Sequence, residues 1–449
     1  MLESRRKATD EGFALPIAIG FGLIMVLVAL TLSIKSRDDQ VSAISQKQTT
    51  ASATVAEGGI SRTLGFLNQN YHMLLRSDYD PNSLLGSDSP DEWSFLAKPP
   101  PCFTGVNDIL TGKIPNNAPA NTYTVEAYRY SDPDGISNSG DETGTLIVKG
   151  HPPNSSAVSR IQQTMKISQS TSPASFPGLM AQNITLGNND VLGAVSGNVV
   201  CTDTLNCAVP VSECVNGQPT DAGLRNSIDA LNNSVVQGQI YVRDVIWPPV
   251  PAIPSGAMNV SISGATSFPR TGDTVGTNGA YHYQVSDITL SGSDQVTVDT
   301  TSAPIYFYVT GDIDISGQAA LAHTCSGTAN NCGTYGSGLG SPERFRIYGN
   351  ADDGDSFSDQ DFTLNGGATA TNVFIHAPDA RMGINGGSSN PDIQGAIWVR
   401  EWDGSSSNTA EIKIPNAMQQ LLTNSGVAIT TVSHKTSAAT SWTRLEATP

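Results

Sequence analysis

The side chains best placed to do chemistry are carboxylates gathered in turn-rich sequence. Asp132-Pro133-Asp134-Gly135 runs on through Asn138 to Asp141 and Glu142. Several hard oxygens in one loop are what calcium takes as ligands, so Asp132, Asp134 and Asp141 form a candidate calcium site. The spacing is not that of an EF-hand, which needs Gly at its sixth position and Glu at its twelfth. A solvated acidic loop has the same composition and is the simpler alternative. A second acidic run, Asp352, Asp353, Asp355, Asp359 and Asp361, lies close in sequence to Arg344 and Arg346. Carboxylates beside basic groups are what polysaccharide lyases and hydrolases need in a groove, but shared composition does not make a catalyst.

Other reactive patterns do not occur. The chain has no HExxH, no P-loop, no nucleophile elbow and no Cys/His metal array. His72, His151, His282, His323, His376 and His434 are scattered, none at metal-ligand spacing from another. No catalytic residue is assigned, no cofactor other than calcium is expected, and the chain reads as a non-enzyme. The six cysteines, Cys102, Cys201, Cys207, Cys214, Cys325 and Cys332, include no C-x-x-C pair. Cys201/Cys207 and Cys325/Cys332 are close enough to staple loops in an oxidising compartment. Cys214 competes with Cys207 for Cys201, and Cys102 takes whichever is left. The connectivity stays open, and free buried thiols are the alternative.

These residues sit in a chain of 449 residues with 24 Lys+Arg against 41 Asp+Glu, a formal charge of −17. Only 14% of residues are charged, and 43 Gly and 26 Pro punctuate the sequence. That length allows several domains with ample cores. An acidic, sparsely charged surface argues against a broad phosphate-binding face, so direct nucleic-acid binding is not expected. The composition suits an exported, β-rich protein.

The N-terminus supplies the address. Residues 1–12 are a polar leader carrying Arg5, Arg6 and Lys7, and residues 13–34 are an unbroken apolar run, FALPIAIGFGLIMVLVALTLSI. As a helix this run would span about 33 Å, one bilayer crossing. The basic cluster favours a cytoplasmic N-terminus, leaving everything after Ile34 outside. Apolar residues then recur at helical steps through Val41, Ile44, Ala51, Val55, Ile60, Leu64 and Leu67. One helix over residues 13–68, apolar all round and then amphipathic, would be roughly 80 Å long.

A short charged leader, Gly12-Phe13, an apolar run and a polar helix containing Ala56-Glu57-Gly58-Gly59 together resemble type IV pilin-like proteins, and most of all the PilX-type minor pilins. The resemblance covers about the first 60 residues. It implies a prepilin peptidase cutting between Gly12 and Phe13, with the new N-terminus usually methylated. It also implies storage in the inner membrane, then partnership with other pilins and the pilus assembly machinery at the cell surface. Two positions depart from the family. Glu11 replaces the basic residue common before the cleavage glycine, and Ile17 replaces the Glu found at the fifth mature position of most pilins. In pilins that carboxylate is thought to offset a neighbour's charged N-terminus inside an apolar filament core, where an unpaired charge is costly. A subunit with Ile17 cannot supply it. The expectation is a minor subunit, at the tip or in low copy, with a role in assembly, adhesion, motility or DNA uptake.

The expected fold class is α+β to mainly β, in three parts after the leader. Residues 69–175 read as a small antiparallel αβ head, with strands YTVEAYRY (123–130), GTLIVK (144–149) and RIQQTMKI (160–167) alternating with period two. Residues 176–433 read as a right-handed parallel β-helix interrupted by the Pro-rich WPPVPAIP at 247–254, and residues 434–449 as a C-terminal tail. The β-helix reading rests on a repeated motif, apolar–x–apolar–Ser/Asn–Gly. It occurs as VSISG (260–264), ITLSG (288–292), IDISG (313–317), FTLNG (362–366) and MGING (382–386), with ITLGN (184–188) a weaker copy. A second series, IYFYV (305–309), FRIYG (345–349), VFIHA (373–377) and AIWVR (396–400), runs beside it. Short strands repeated every 20 to 30 residues mark a parallel solenoid, and a β-sandwich is the alternative. A second functional class is a membrane-anchored module binding a surface glycan, with Trp247, Trp398, Trp402, Tyr306 and Tyr308 as candidate stacking aromatics.

Overall fold

The computed structural model describes residues 14–445 apart from 71–72, 75–78, 86–92, 94–101, 103–106, 115–120, 132–141, 154, 174–175, 194–195, 204–205, 217, 244, 327–331, 333–340, 350–359, 387–391, 406–408, 416–417 and 419–428. Helix α1 (Ala14–Gln69) is continuous over 56 residues. Pro16 falls in its first turn, where a missing N–H costs nothing. From Leu15 to Ile44 its apolar side chains are exposed on every side. Packing begins at Ser52, and Val55, Ala56, Ile60, Thr63 and Leu67 form the buried stripe. Val41 and Ile44, expected on that stripe, are 66% and 57% exposed because the sheet beneath the helix does not reach them.

That sheet is antiparallel. Strands β1 (Thr111–Ile114), β2 (Asn121–Ser131), β3 (Thr143–His151) and β4 (Ser159–Pro173) pair in sequence order. Tyr123, Tyr128, Leu146, Val148, Ile161 and Met165 meet the buried stripe of α1 in one core. Close approach needs small residues: a Cβ on Gly59 would lie 2.6 Å from the Tyr123 ring. The next strand across is not sequential. Thr430–Leu445 runs antiparallel to β4, Thr430 opposite Pro173 and Leu445 opposite Arg160. Residues from 434 onward, read from sequence as a tail, therefore belong to the sheet as far as Leu445. Their alternation of small polar residues gave little periodic signal, because most of this strand is exposed. The large β-rich part is thus inserted between two neighbouring strands of the antiparallel sheet.

The inserted part is a closed parallel sheet of 17 strands among the described residues. Three stacks surround one apolar core. The first runs Met258–Ile262, Tyr281–Leu290, Ile305–Val309, Phe345–Gly349, Thr369–Asn385, Ile393–Asp403, Pro177–Ala181, Asn198–Cys201 and Ile240–Val242. Its inward column is Tyr283, Phe307, Ile347, Ile375, Ile397, Leu179 and Val199, each at most 3% exposed. A second stack carries Ile288, Ile313, Phe362, Met382, Trp402 and Ile184 inward, and a third carries Val296, Leu321, Ala370, Ile393, Ile412 and Val191. Tyr281–Leu290, Thr369–Asn385 and Ile393–Asp403 bend from one stack into another, which joins the faces.

Four of the five glycines of the repeated motif turn corners. Gly292, Gly317, Gly366 and Gly386 all have positive φ and sit on one another: a Cβ on Gly317 would be 2.9 Å from the Gly292 carbonyl oxygen. Tier order departs from chain order. The chain starts the domain at Pro177–Ala181, seventh in the stack, and walks out to Ile240–Val242 at one end. The Pro-rich residues 247–254 then connect towards Met258–Ile262 at the other end, roughly 40 Å away at 4.8 Å per tier. From there the chain returns until Ile393–Asp403 pairs with the strands where it began.

Candidate functional site

Two exposed surfaces stand out from the packed cores. The first is the N-terminal half of α1. An 18-residue window within it is 0% buried and long and apolar enough to cross a membrane. Ile17 is 49% exposed, and no carboxylate interrupts the apolar run before Asp38. Gly12 and Phe13 lie outside the described residues. Below this half, the Ala56-Glu57-Gly58-Gly59 segment has a structural job. Ala56 is fully buried, Gly58 and Gly59 face Ile114 and Tyr123, and Ser52 Oγ lies 2.6 Å from Ser159 Oγ. At the helix end Asn68 accepts from the Thr436 backbone N–H at 2.7 Å, tying α1 to the last strand.

The second surface is the outer face of the second parallel stack. Its in-register columns are Asp361, Arg381, Glu401 and Asn183, and Asp314, Thr363, Gly383, Asp403 and Thr185. The missing side chain at Gly383 leaves a notch of about 230 Å³ bounded by Asp361, Thr363, Asn365, Arg381, Asn385 and Asp403. Arg381 donates to Asp403 and lies 3.7 Å from Glu401. Hydrogen bonding to Asp403 raises the Arg381 pKa. Partial burial pushes the Asp403 carboxyl up, but hydrogen bonds from Ser405 and Arg381 outweigh it and leave its pKa lowered. Carboxylates also cap the next tier: the Asp361 N–H donates to Asp312 at 2.9 Å.

Arg344 and Arg346, close to Asp361 in sequence, stand elsewhere. Arg346 lies over the Tyr306 ring at 5.1 Å and donates to Tyr348 Oη at 3.1 Å, on the first stack. Arg344 donates to the Thr300 carbonyl at 2.6 Å. Strands Phe345–Gly349 and Gln360–Asn365 belong to different stacks, so Asp361 stands on a different stack from Arg346. Asp352, Asp353, Asp355 and Asp359 lie outside the described residues, as do Asp132, Asp134 and Asp141 of the candidate calcium loop. No group of three or more metal-binding side chains occurs among the described residues. The aromatics are mostly spent on packing. Trp398 and Trp402 are fully buried, Tyr308 is 3% exposed, and Trp247 stacks on His376 at 6.3 Å.

Burial holds three histidines below the ordinary imidazole range. His323 Nε2 meets Thr300 Oγ1 at 2.7 Å and Nδ1 meets the Asn372 carbonyl at 2.7 Å. Burial depresses the pKa of His323 to about 4 and that of His376 to about 4. His282, between Tyr308 Oη at 3.1 Å and Asn278 Oδ1 at 2.8 Å, is lowered by burial as well.

Sequence reading missed the pair that anchors the antiparallel sheet. Glu126 takes a two-point contact from Arg160, at 2.6 and 3.2 Å, with Lys149 at 3.9 Å. Lys149 and Arg160 lie opposite each other on β3 and β4, but Glu126 falls at the register break of β2 between Val125 and Ala127, where the period-two alternation fails. The cysteines pair as Cys201–Cys207, Cys325–Cys332 and Cys102–Cys214. The third bridge ties the segment before β1 to the hairpin Cys214–Val215/Gln218–Pro219, beside the short helix Asp221–Ser227. No family model, curated protein or solved structure matches this chain.

Proposed function

We propose that this chain is a membrane-delivered filament subunit, a PilX-like minor pilin whose β-rich domain is the displayed part of its head. The observation that carries the reading is the division of α1. Its first half is apolar and uncovered all round, while its second half is packed on an antiparallel sheet. A helix of that kind serves equally in a bilayer and in a bundle of its own type. The processing position is Gly12/Phe13, the partners are the prepilin peptidase, other pilins and the assembly machinery, and the head lies outside the inner membrane. We read the three-faced parallel tiers as a right-handed β-solenoid, supported by the stacked motif glycines. Ile17 leaves the subunit without the carboxylate a repeating building block uses, which favours the tip or low copy number. Mass spectrometry of the mature protein should find Phe13 as the first residue, methylated. An intact Met1 would sink the pilin reading and leave a plain membrane anchor.

A second reading is favoured by the open polar ladder around Gly383. There the chain would be an anchored module whose solenoid binds a neutral surface glycan. Glycan-array binding by the full chain, lost in Arg381→Ala, would support it, and an array without signal would remove it.

A further inference from the structure

One end of the parallel stack is covered by a small cap. The hairpin Cys214–Val215/Gln218–Pro219 and the helix Asp221–Ser227 stand beside the last strand, Ile240–Val242. A helix that closes a core does so by burying its apolar face. This one buries only Gly223. Leu224, Val236, Ile240 and Tyr241 are left half-buried around a groove of about 610 Å³. Polar ties fix the walls in place of packing. Thr220 Oγ1 accepts from the Gly223 N–H at 3.1 Å, Asn226 donates to Glu213 Oε1 at 2.7 Å, and Cys214 is bridged to Cys102. Arg225 Nη2 donates to the Leu231 and Ser234 carbonyls at 3.1 and 2.7 Å. The groove is concave, partly apolar and held in shape, as small-ligand sites are.

Its polar groups are mixed. Gln218 and Asp221 are exposed on the cap side and Gln239 on the stack side. Lined by one carboxylate, Asp221, and one guanidinium, Arg225, the groove has no net charge. The Gln239 carbonyl accepts from the Val199 N–H at 2.9 Å, and the Arg243 N–H donates to the Cys201 carbonyl at 3.0 Å. Odd-numbered residues of the last strand thus bond to the tier below, and the N–H and C=O of Ile240 point away from it. Tyr241 adds an aromatic ring, backed by the Arg243 guanidinium at 4.1 Å from its centroid, and its hydroxyl donates to Gln239 Oε1.

We infer that this groove binds a neutral sugar unit of a glycan, with Asp221, Gln218 and Gln239 taking its hydroxyls and Tyr241 its C–H face. A sugar hydroxyl both donates and accepts, so one ring satisfies a carboxylate and two amides together. Its C–H groups suit the tyrosine ring and the aliphatic side chains beside it. Charge narrows the class. A groove of no net charge on a chain of −17 gives a uronate or a phosphate no compensation, and Arg225 beside Asp221 disfavours an amino sugar. A peptide adding as a strand would find only Ile240 and Val242 facing outward. The groove shares no residue with the notch at Gly383, and the inference stands whether or not the chain enters a filament.

Saturation-transfer NMR on the full chain, held in micelles of a detergent without a sugar head group, tests it. The probes are glucose, galactose, mannose and N-acetylglucosamine, with glucuronate and glucosamine as charged controls. At least one neutral probe should receive more saturation than either control. Asp221→Asn and Gln218→Ala, both at exposed positions, should each weaken its binding by roughly tenfold. Tyr241→Leu should remove the transfer, and Arg381→Ala should leave it unchanged. Silence of all four neutral sugars would overturn the site, as would stronger transfer to glucuronate or glucosamine. Transfer that survives both Asp221→Asn and Gln218→Ala would overturn it equally, and its loss in Arg381→Ala would place the sugar on the ladder around Gly383.

Discussion

His323 and His376 are single residues whose titration reaches the whole fold. Both are buried and depressed to about 4, against 6.5 for a free imidazole. Between those values the unfolded chain binds protons that the folded chain refuses. Their contribution is therefore complete above pH 6.5 and is lost as the pH falls towards 4, by roughly 3 kcal/mol each. Urea midpoints should fall over that window, and His376→Phe, which keeps the stack against Trp247 and Trp398, should remove about half the slope. Below it the lowered carboxyls of Asp273 and Asp403 take over. The partner set at Asp403 was not legible in sequence. Arg381 and Asp403 become neighbours only because 22 residues make one circuit of the core.

The element that repeats is a strand closed by a left-handed glycine. Gly317 and Gly366 each need positive φ and each approach the tier before them too closely for a side chain. Gly317→Val adds backbone strain to a steric clash, and should cost on the order of 2–4 kcal/mol, read as a drop in Tm of the β domain. These corners could be read in the sequence, because a turn that needs Gly leaves its mark at Gly292, Gly317, Gly366 and Gly386. The 49-residue gap from IDISG to FTLNG is still a single step, since Ile313 pairs directly with Phe362. Other elements left no local mark. Nothing in the sequence around Pro177–Ala181 says that its neighbours are Ile393–Asp403 on one side and Asn198–Cys201 on the other. Such pairings are chosen by matching apolar columns across two hundred residues, which no window of periodicity contains. The strand Thr430–Leu445 was unreadable for the opposite reason, since a mostly exposed strand imposes little pattern.

At the scale of the molecule, the head is one sheet with another domain spliced into it. Pro173 and Thr430, which flank the splice, face each other across the antiparallel ladder. Replacing residues 177–428 by a short Gly-containing turn should leave α1 and its sheet folded, with the Glu126–Arg160 contact intact. Far-UV circular dichroism and limited proteolysis would check it, and a chain digested throughout would mean that the sheet depends on the insert. The Cys102–Cys214 bridge adds a mechanical consequence. Once α1 is detached from its sheet, a pull along the covalent chain travels from α1 to Cys102, crosses the sulfurs to Cys214 and continues outward, so that β1 to β4 and the strands from Pro177 to Cys201 sit in a loop spared from tension. That loop stores 112 residues of slack, about 390 Å of contour that only reduction releases. Stretched in a single-molecule instrument, the reduced chain should lengthen by that amount over the oxidised one. Once α1 has been pulled off the sheet, the sulfurs alone would decide how much of the chain is left to yield.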